Sequence, residues 1–129
     1  MSYEIHVYRS ETKTLHKAAV AAGKDDFFDH EETNCVKFTK EQLKKLDKRL
    51  KLFGFKQEKD ALPVREYCDT SEKTLAYLTD TSLSFSAFNN FEDVLDLLIT
   101  VCEFCDDTSE FAKYNPQLDE WDWDKATDI

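Results

Sequence analysis

Apolar and polar positions divide the chain into a β-α opening, a charged helix, a stretch of β texture and a long apolar helix. Residues 3–9 alternate, with Tyr3, Ile5 and Val7 on one side and Glu4, His6 and Tyr8 on the other. A period of two predicts a half-buried first strand. Over residues 14–22 the spacing becomes helical, with Leu15, Ala18, Ala19 and Ala22 on one face, and Gly23 stands where that helix should stop. Asp25-Asp26-Phe27-Phe28-Asp29 sets two aromatics among three acids. It predicts an anchored connection or short helical turn whose Phe pair plugs the core.

Thr39-Lys40-Glu41-Gln42 has the form of a capping box and starts a helix that reaches Phe53, with Leu43, Leu46, Leu50 and Phe53 on its buried stripe and Gly54 at its end. Four short segments follow, 55–59, 64–68, 74–79 and 83–88, each rich in β-branched or aromatic residues and separated by polar turns. In the last of them Leu83, Phe85 and Ala87 face one way and Ser84, Ser86 and Phe88 the other. Connections this short join antiparallel neighbours. Asn89 and Glu92 repeat the capping geometry ahead of a helix over 91–105, whose stripe is Phe91, Val94, Leu95, Leu98, Val101, Cys102 and Cys105. Residues 111–114 then read as a last edge strand, followed by Pro116 and a tail.

The expected fold is α+β: an antiparallel sheet of about four to five strands, largely a meander, packed by two to three helices in a single domain over residues 1–129, with 115–129 as an acidic aromatic tail. A chain of 129 residues can bury an adequate core without metal or disulfide support. Ten Phe and five Tyr supply large side chains, which argues against disorder. No apolar run approaches the length of a membrane span, and no basic segment with an apolar run opens the chain, so the reading is a cytoplasmic protein with no membrane contact. Its four cysteines are then expected as free thiols.

Charge changes this picture most. Residues 89–129 hold twelve acids against Lys113 and Lys125, whereas residues 1–88 balance. The formal charge of −10 therefore lies in the last third of the chain. A focused field of that sign favours a cationic partner. The helix at 40–53 carries Lys40, Lys44, Lys45, Lys48, Arg49 and Lys51 against Glu41 and Asp47, a face that could track phosphates but that has no interleaved aromatics. Single-stranded nucleic-acid binding through this helix is the alternative function, and the net charge argues against it. Cys102-Glu103-Phe104-Cys105 is a C-x-x-C, but it falls on the apolar stripe with no second ligand pair, and reads as core thiols. No phosphate-binding loop, dinucleotide fingerprint or zinc motif is present, and the three His are not set beside a recognisable nucleophile. No metal, cofactor or catalysis is expected.

Met-Ser-Tyr-Glu-Ile-His-Val-Tyr-Arg at the start, Asp-Phe-Phe-Asp-His-Glu, Leu-Ser-Phe-Ser-Ala-Phe, Cys-Glu-Phe-Cys-Asp-Asp and Tyr-Asn-Pro-Gln-Leu-Asp-Glu-Trp-Asp give the whole chain a texture that resembles small bacterial immunity proteins of toxin systems, those of contact-dependent growth inhibition in particular. The resemblance implies a protein that binds and blocks the toxin domain of a matching effector, often a nuclease. It carries no residue-by-residue assignment, because such proteins meet their partners through divergent surfaces. From charge and aromatic content, the expected toxin-binding residues are Asp106, Asp107, Glu110, Asp119, Glu120, Trp121, Asp122 and Trp123. Tryptophan anchors with surrounding acids meet the demands of a tight interface with a basic protein.

Overall fold

In the computed structural model the described residues are 2–61, 64–69, 74–88, 91–104 and 110–122. Among them seven strands form one antiparallel sheet. The chain order is β1 (Ser2–Arg9), α1 (Ser10–Ala21), a 3-10 turn (Phe27–His30), α2 (Glu31–Asn34), α3 (Lys40–Leu52), β2 (Phe55–Ala61), β3 (Val64–Asp69), β4 (Thr74–Leu78), β5 (Leu83–Phe88), α4 (Phe91–Phe104), β6 (Phe111–Asn115) and β7 (Glu120–Trp121). The sheet order is β2-β3-β4-β5-β1-β6-β7. The expected α+β class and the β2–β5 meander are present, with more strands than the sequence predicted.

β7 is the strand the sequence did not indicate, and the sheet reaches it through β1. β1 pairs with β5 on one edge, Ile5 opposite Phe85, and with β6 on the other, Tyr8 opposite Ala112. The first strand is thus central, and the segment expected at an edge, β6, lies between β1 and β7. Both faces of β1 are covered where these neighbours meet. Ile5 and Val7 enter an apolar core with Phe85, Leu83, Ala76 and Leu78 on one side of the sheet. Tyr8 enters a second cluster on the other side, with Phe27, Ala112, Tyr114 and Trp121. Fully burying a side chain of this size contributes about 1.5–3 kcal/mol.

α3 and α4 cover the first side. Thr39 Oγ1 accepts from Gln42 N–H (3.1 Å) and Gln42 Oε1 accepts from Thr39 N–H (2.9 Å), so the predicted capping box is formed. Leu46 and Leu50 are fully buried, and Tyr67 of β3 donates its hydroxyl to Asp47 (2.6 Å). Phe53, expected inside, is partly exposed: the helix ends at Leu52, and Gly54, at φ of 88°, turns the chain just after it. On α4 the buried positions are Leu97 and Val101, with Leu98 partly buried, whereas Leu95, expected in the stripe, faces outward.

α1, the 3-10 turn and α2 cover the second side over β1, β6 and β7. α1 turns in Thr12 and His16, with Ala19 partly buried, and not the predicted face: Leu15 is 46% exposed, and Ala18 and Ala22 are exposed. Polar partners decide this rotation. Thr12 Oγ1 accepts from Val36 N–H (3.0 Å), and His16 Nδ1 accepts from the indole N–H of Trp121 (2.9 Å). Both polar groups are satisfied inside, which removes the cost of burying them. Gly23, at φ of 80°, ends the helix as predicted, with Lys24 N–H donating to the Ala19 carbonyl.

Candidate functional site

Two acidic aromatic segments, 25–29 and 119–122, meet across the second side of the sheet, around His16. Phe27 approaches its ring edge-on (5.2 Å) and Phe28 lies against it (4.7 Å), while Tyr114 and Trp121 close the other side (5.5 and 5.7 Å). Phe28 also stacks on Tyr8 (5.4 Å), whose hydroxyl donates to Glu31 (3.1 Å). Ring pairs at such separations add to area burial through edge and offset contacts. Burial pushes the Tyr8 hydroxyl well above its ordinary pKa, and Glu31 adds to the shift. Burial lowers the pKa of His16, opposed by the charge of Asp119, so the ring is neutral and its Nδ1 is free to accept.

The β6–β7 hairpin brings the second segment into place. Asp122, at φ of 49°, accepts from Lys113 N–H with Oδ1 (2.8 Å) and from Lys13 Nζ with Oδ2 (2.7 Å). Short acidic side chains tolerate this left-handed conformation by bonding locally. Asp119, at φ of 50°, accepts from the Tyr114 hydroxyl. In the turn between β6 and β7, Gln117 extends the ladder with its side chain: its amide NH2 donates to the Glu4 carbonyl (2.7 Å) and its Oε1 accepts from Glu4 N–H (2.9 Å). Up to Asp122, the segment expected as a tail is therefore an integral edge of the sheet.

Among the described residues, the expected binding residues accordingly do not form one exposed patch. Trp121 is 4% exposed and Glu120 is buried, so neither presents itself to a partner. Asp122 is held by Lys13, and Glu110 by Lys45 of α3 (2.7 Å). Asp106, Asp107, Trp123 and Cys105, and the side chain of Cys102, lie outside the described residues.

What remains open is the first segment and its surroundings. Asp25, Asp29 and Glu32 are exposed and have no ion-pair partner among the described residues, while Asp26 stands 3.8 Å from His30. Beside them a groove of about 560 Å³ runs between α1 and the 27–34 segment, apolar on Leu15, Ala19 and Phe27 and polar on Lys24, Asp26 and His30. Asn34 Nδ2 donates to the Phe27 carbonyl (2.8 Å) and fixes one wall. No family model matches the chain, and no curated protein or solved structure is significantly similar to it.

A second polar pair, His6 and Ser84, lies on the same side of the sheet beyond the helical cover, with Nδ1 and Oγ 2.6 Å apart. Nucleophile and base are in contact, but Ser84 sits in β5 between β1 and β4, opposite His6 and Tyr77. Its neighbouring amides belong to the ladder and do not converge on a point where an oxyanion would form. The pair has the geometry of a cross-strand contact.

Among the described residues no helix is long and apolar enough to cross a membrane.

Proposed function

We propose that the protein binds and neutralises a basic protein partner, in the manner of an immunity protein occluding the substrate groove of a nuclease toxin. The surface we assign to this is the acidic rim of the α1–α2 groove, Asp25, Asp29 and Glu32, in place of the C-terminal tail. The observation that carries the reading is that these carboxylates are exposed and, among the described residues, in no ion pair, beside a groove with an apolar wall. A nuclease is cationic where it holds phosphate, so such a rim accelerates encounter, and the groove can seat the aliphatic stem of a Lys or Arg.

The alternative, single-stranded nucleic-acid binding through the helix at 40–53, has less behind it, since Lys45 and Lys51 are engaged by Glu110 and Asp47. The test is binding to, and protection of cells against, the toxin encoded beside the gene. Asp25→Asn, Asp29→Asn and Glu32→Gln together are expected to lower the association rate about tenfold at low salt and to flatten its salt dependence. An unchanged rate with full protection refutes this surface.

A further inference from the structure

α3 and α4 lie on one side of the sheet: Leu46 and Leu50 of the first and Leu97 and Val101 of the second are buried in the same apolar cluster. They run in opposite directions. α3 begins near the β4–β5 turn, where Phe38 N–H donates to the Asp80 carbonyl (2.8 Å), and leads into β2 at the far end, where Phe55 pairs with Asp69. α4 starts from that far end, after β5 has paired Phe88 with Ser2, and the chain beyond it returns to Glu110, whose carbonyl accepts from Ser10 N–H (2.9 Å).

Their outward sides are opposite in charge. Lys44 and Lys48 stand one turn apart on α3, exposed and without an ion-pair partner among the described residues. On α4, Glu92, Leu95, Asp96 and Ile99 are all exposed at the spacing of a single ridge, and residues 91–104 contain no Lys or Arg. Leu95 and Ile99 are 44% and 49% exposed, and Leu52 at the end of α3 is 74% exposed. α4 is amphipathic, with Leu97 and Val101 on its buried side, yet Leu95 and Ile99 carry apolar surface round to the border of the acids on its outward side.

We propose that the outward side of this helix pair is the interface with a second copy of the chain. A two-fold axis parallel to the helices and midway between them lays α4 of one copy antiparallel on α3 of the other, and repeats the contact on the far side of the axis. Each end of the layer meets its own kind, so the first half of α4 meets the second half of α3. With the helix ends level, Asp96 comes opposite the second copy's Lys48, with Glu92 and the second copy's Lys44 each one turn away, and Leu95 packs within a turn of its Leu52. A foreign basic surface would satisfy α4 and leave Lys44 and Lys48 unanswered, whereas a second copy answers both helices. Alternative pairing of α4 on α4 would set acid against acid. The interface lies on the opposite side of the sheet from the acidic groove, so it stands or falls independently of the function proposed above.

Sedimentation of the purified chain from micromolar to hundreds of micromolar tests this. The wild type is expected to show a monomer–dimer equilibrium that weakens in molar salt. Lys44→Glu with Lys48→Glu is expected to weaken the dimer by about tenfold or more. Adding Glu92→Lys and Asp96→Lys to that variant reverses both partners and is expected to restore it. Leu95→Asp, with every lysine intact, is expected to dissociate it as well. Circular dichroism checks that each variant is folded, and all the substituted positions are exposed. A wild type monomeric throughout, a dimer unaffected by the Lys44/Lys48 reversal or by Leu95→Asp, or a folded fourfold variant that stays monomeric would each overturn the proposal.

Discussion

Replacing Trp121 by Phe keeps an aromatic ring in β7 and removes one atom group that matters, the indole N–H that His16 Nδ1 accepts at 2.9 Å. The acceptor remains buried without a donor, which costs about 1–3 kcal/mol. The smaller ring leaves a void among Tyr8, Phe28 and Tyr114, worth about 1 kcal/mol more. The combined loss, about 2–4 kcal/mol, is a large fraction of the ~5–15 kcal/mol expected for a domain. Urea unfolding followed by circular dichroism reads it as a lower midpoint at constant m-value.

The pH dependence separates the hydrogen bond from the void. Charging His16 puts a proton on Nδ1, donor against donor, so the imidazolium cannot keep the contact. Burial already holds the pKa of this ring below 6.5 in the folded protein, against the pull of Asp119. The unfolded chain therefore takes up the proton first: the contribution of His16 to stability is complete above pH 6.5 and declines as pH falls toward the folded pKa. In Trp121→Phe there is no bond to break, and losing a hydrogen bond that favours the neutral ring is expected to make the decline smaller. The deficit of the variant should thus be largest at about pH 7.5 and shrink at about pH 5. Burial of His6 lowers its pKa as well, but that contribution is common to both proteins and cancels. A deficit under about 0.5 kcal/mol, or one that does not change with pH, would refute the argument.

Two further outcomes can be measured on the same preparations. Thr39→Ala removes the acceptor of the Gln42 N–H and should lower stability by about 1 kcal/mol, read as a shift of the urea midpoint. Cys35 is buried and its thiol is pushed up to about 12, so at pH 8 it should react with an aromatic disulfide reagent only as fast as the domain opens, and rapid labelling of the native state would contradict its placement.

Local signals in the sequence translated directly into elements. The capping box at Thr39, the positive-φ glycines at 23 and 54, the alternation of Leu83, Phe85 and Ala87, and the long apolar run after residue 90 each depend on neighbours a few positions away, and each appears where its chemistry requires. Choices that depend on distant partners were not legible. Nothing within residues 3–9 says that this strand has two strand neighbours, because one of them, β6, lies a hundred residues on. The rotation of α1 was hidden for the same reason. Counting apolar positions favours Leu15 and Ala18, while the helix turns in Thr12 and His16, whose value as core residues depends on Val36 N–H and the Trp121 indole.

Charge shows the same distinction between order along the chain and placement in space. Along the chain the acids accumulate after residue 89, which directs attention to Glu110, Asp119 and Asp122. In the fold those three face Lys45, the Tyr114 hydroxyl and Lys13, and their charge is partly answered before any partner arrives. Asp25, Asp29 and Glu32 belong to the stretch whose charges sum to zero, yet six of the fifteen bases in that count lie on α3, across the sheet. A sum over residues cannot separate charges that the sheet holds apart. Asp25-Asp26-Phe27-Phe28-Asp29 carried the usable signal: apolar rings that must go inward, spaced so that the acids between them must go out. The same composition in Asp119-Glu120-Trp121-Asp122 produced the opposite result for its acids, because a two-residue strand and a left-handed turn at each end direct them back onto the protein.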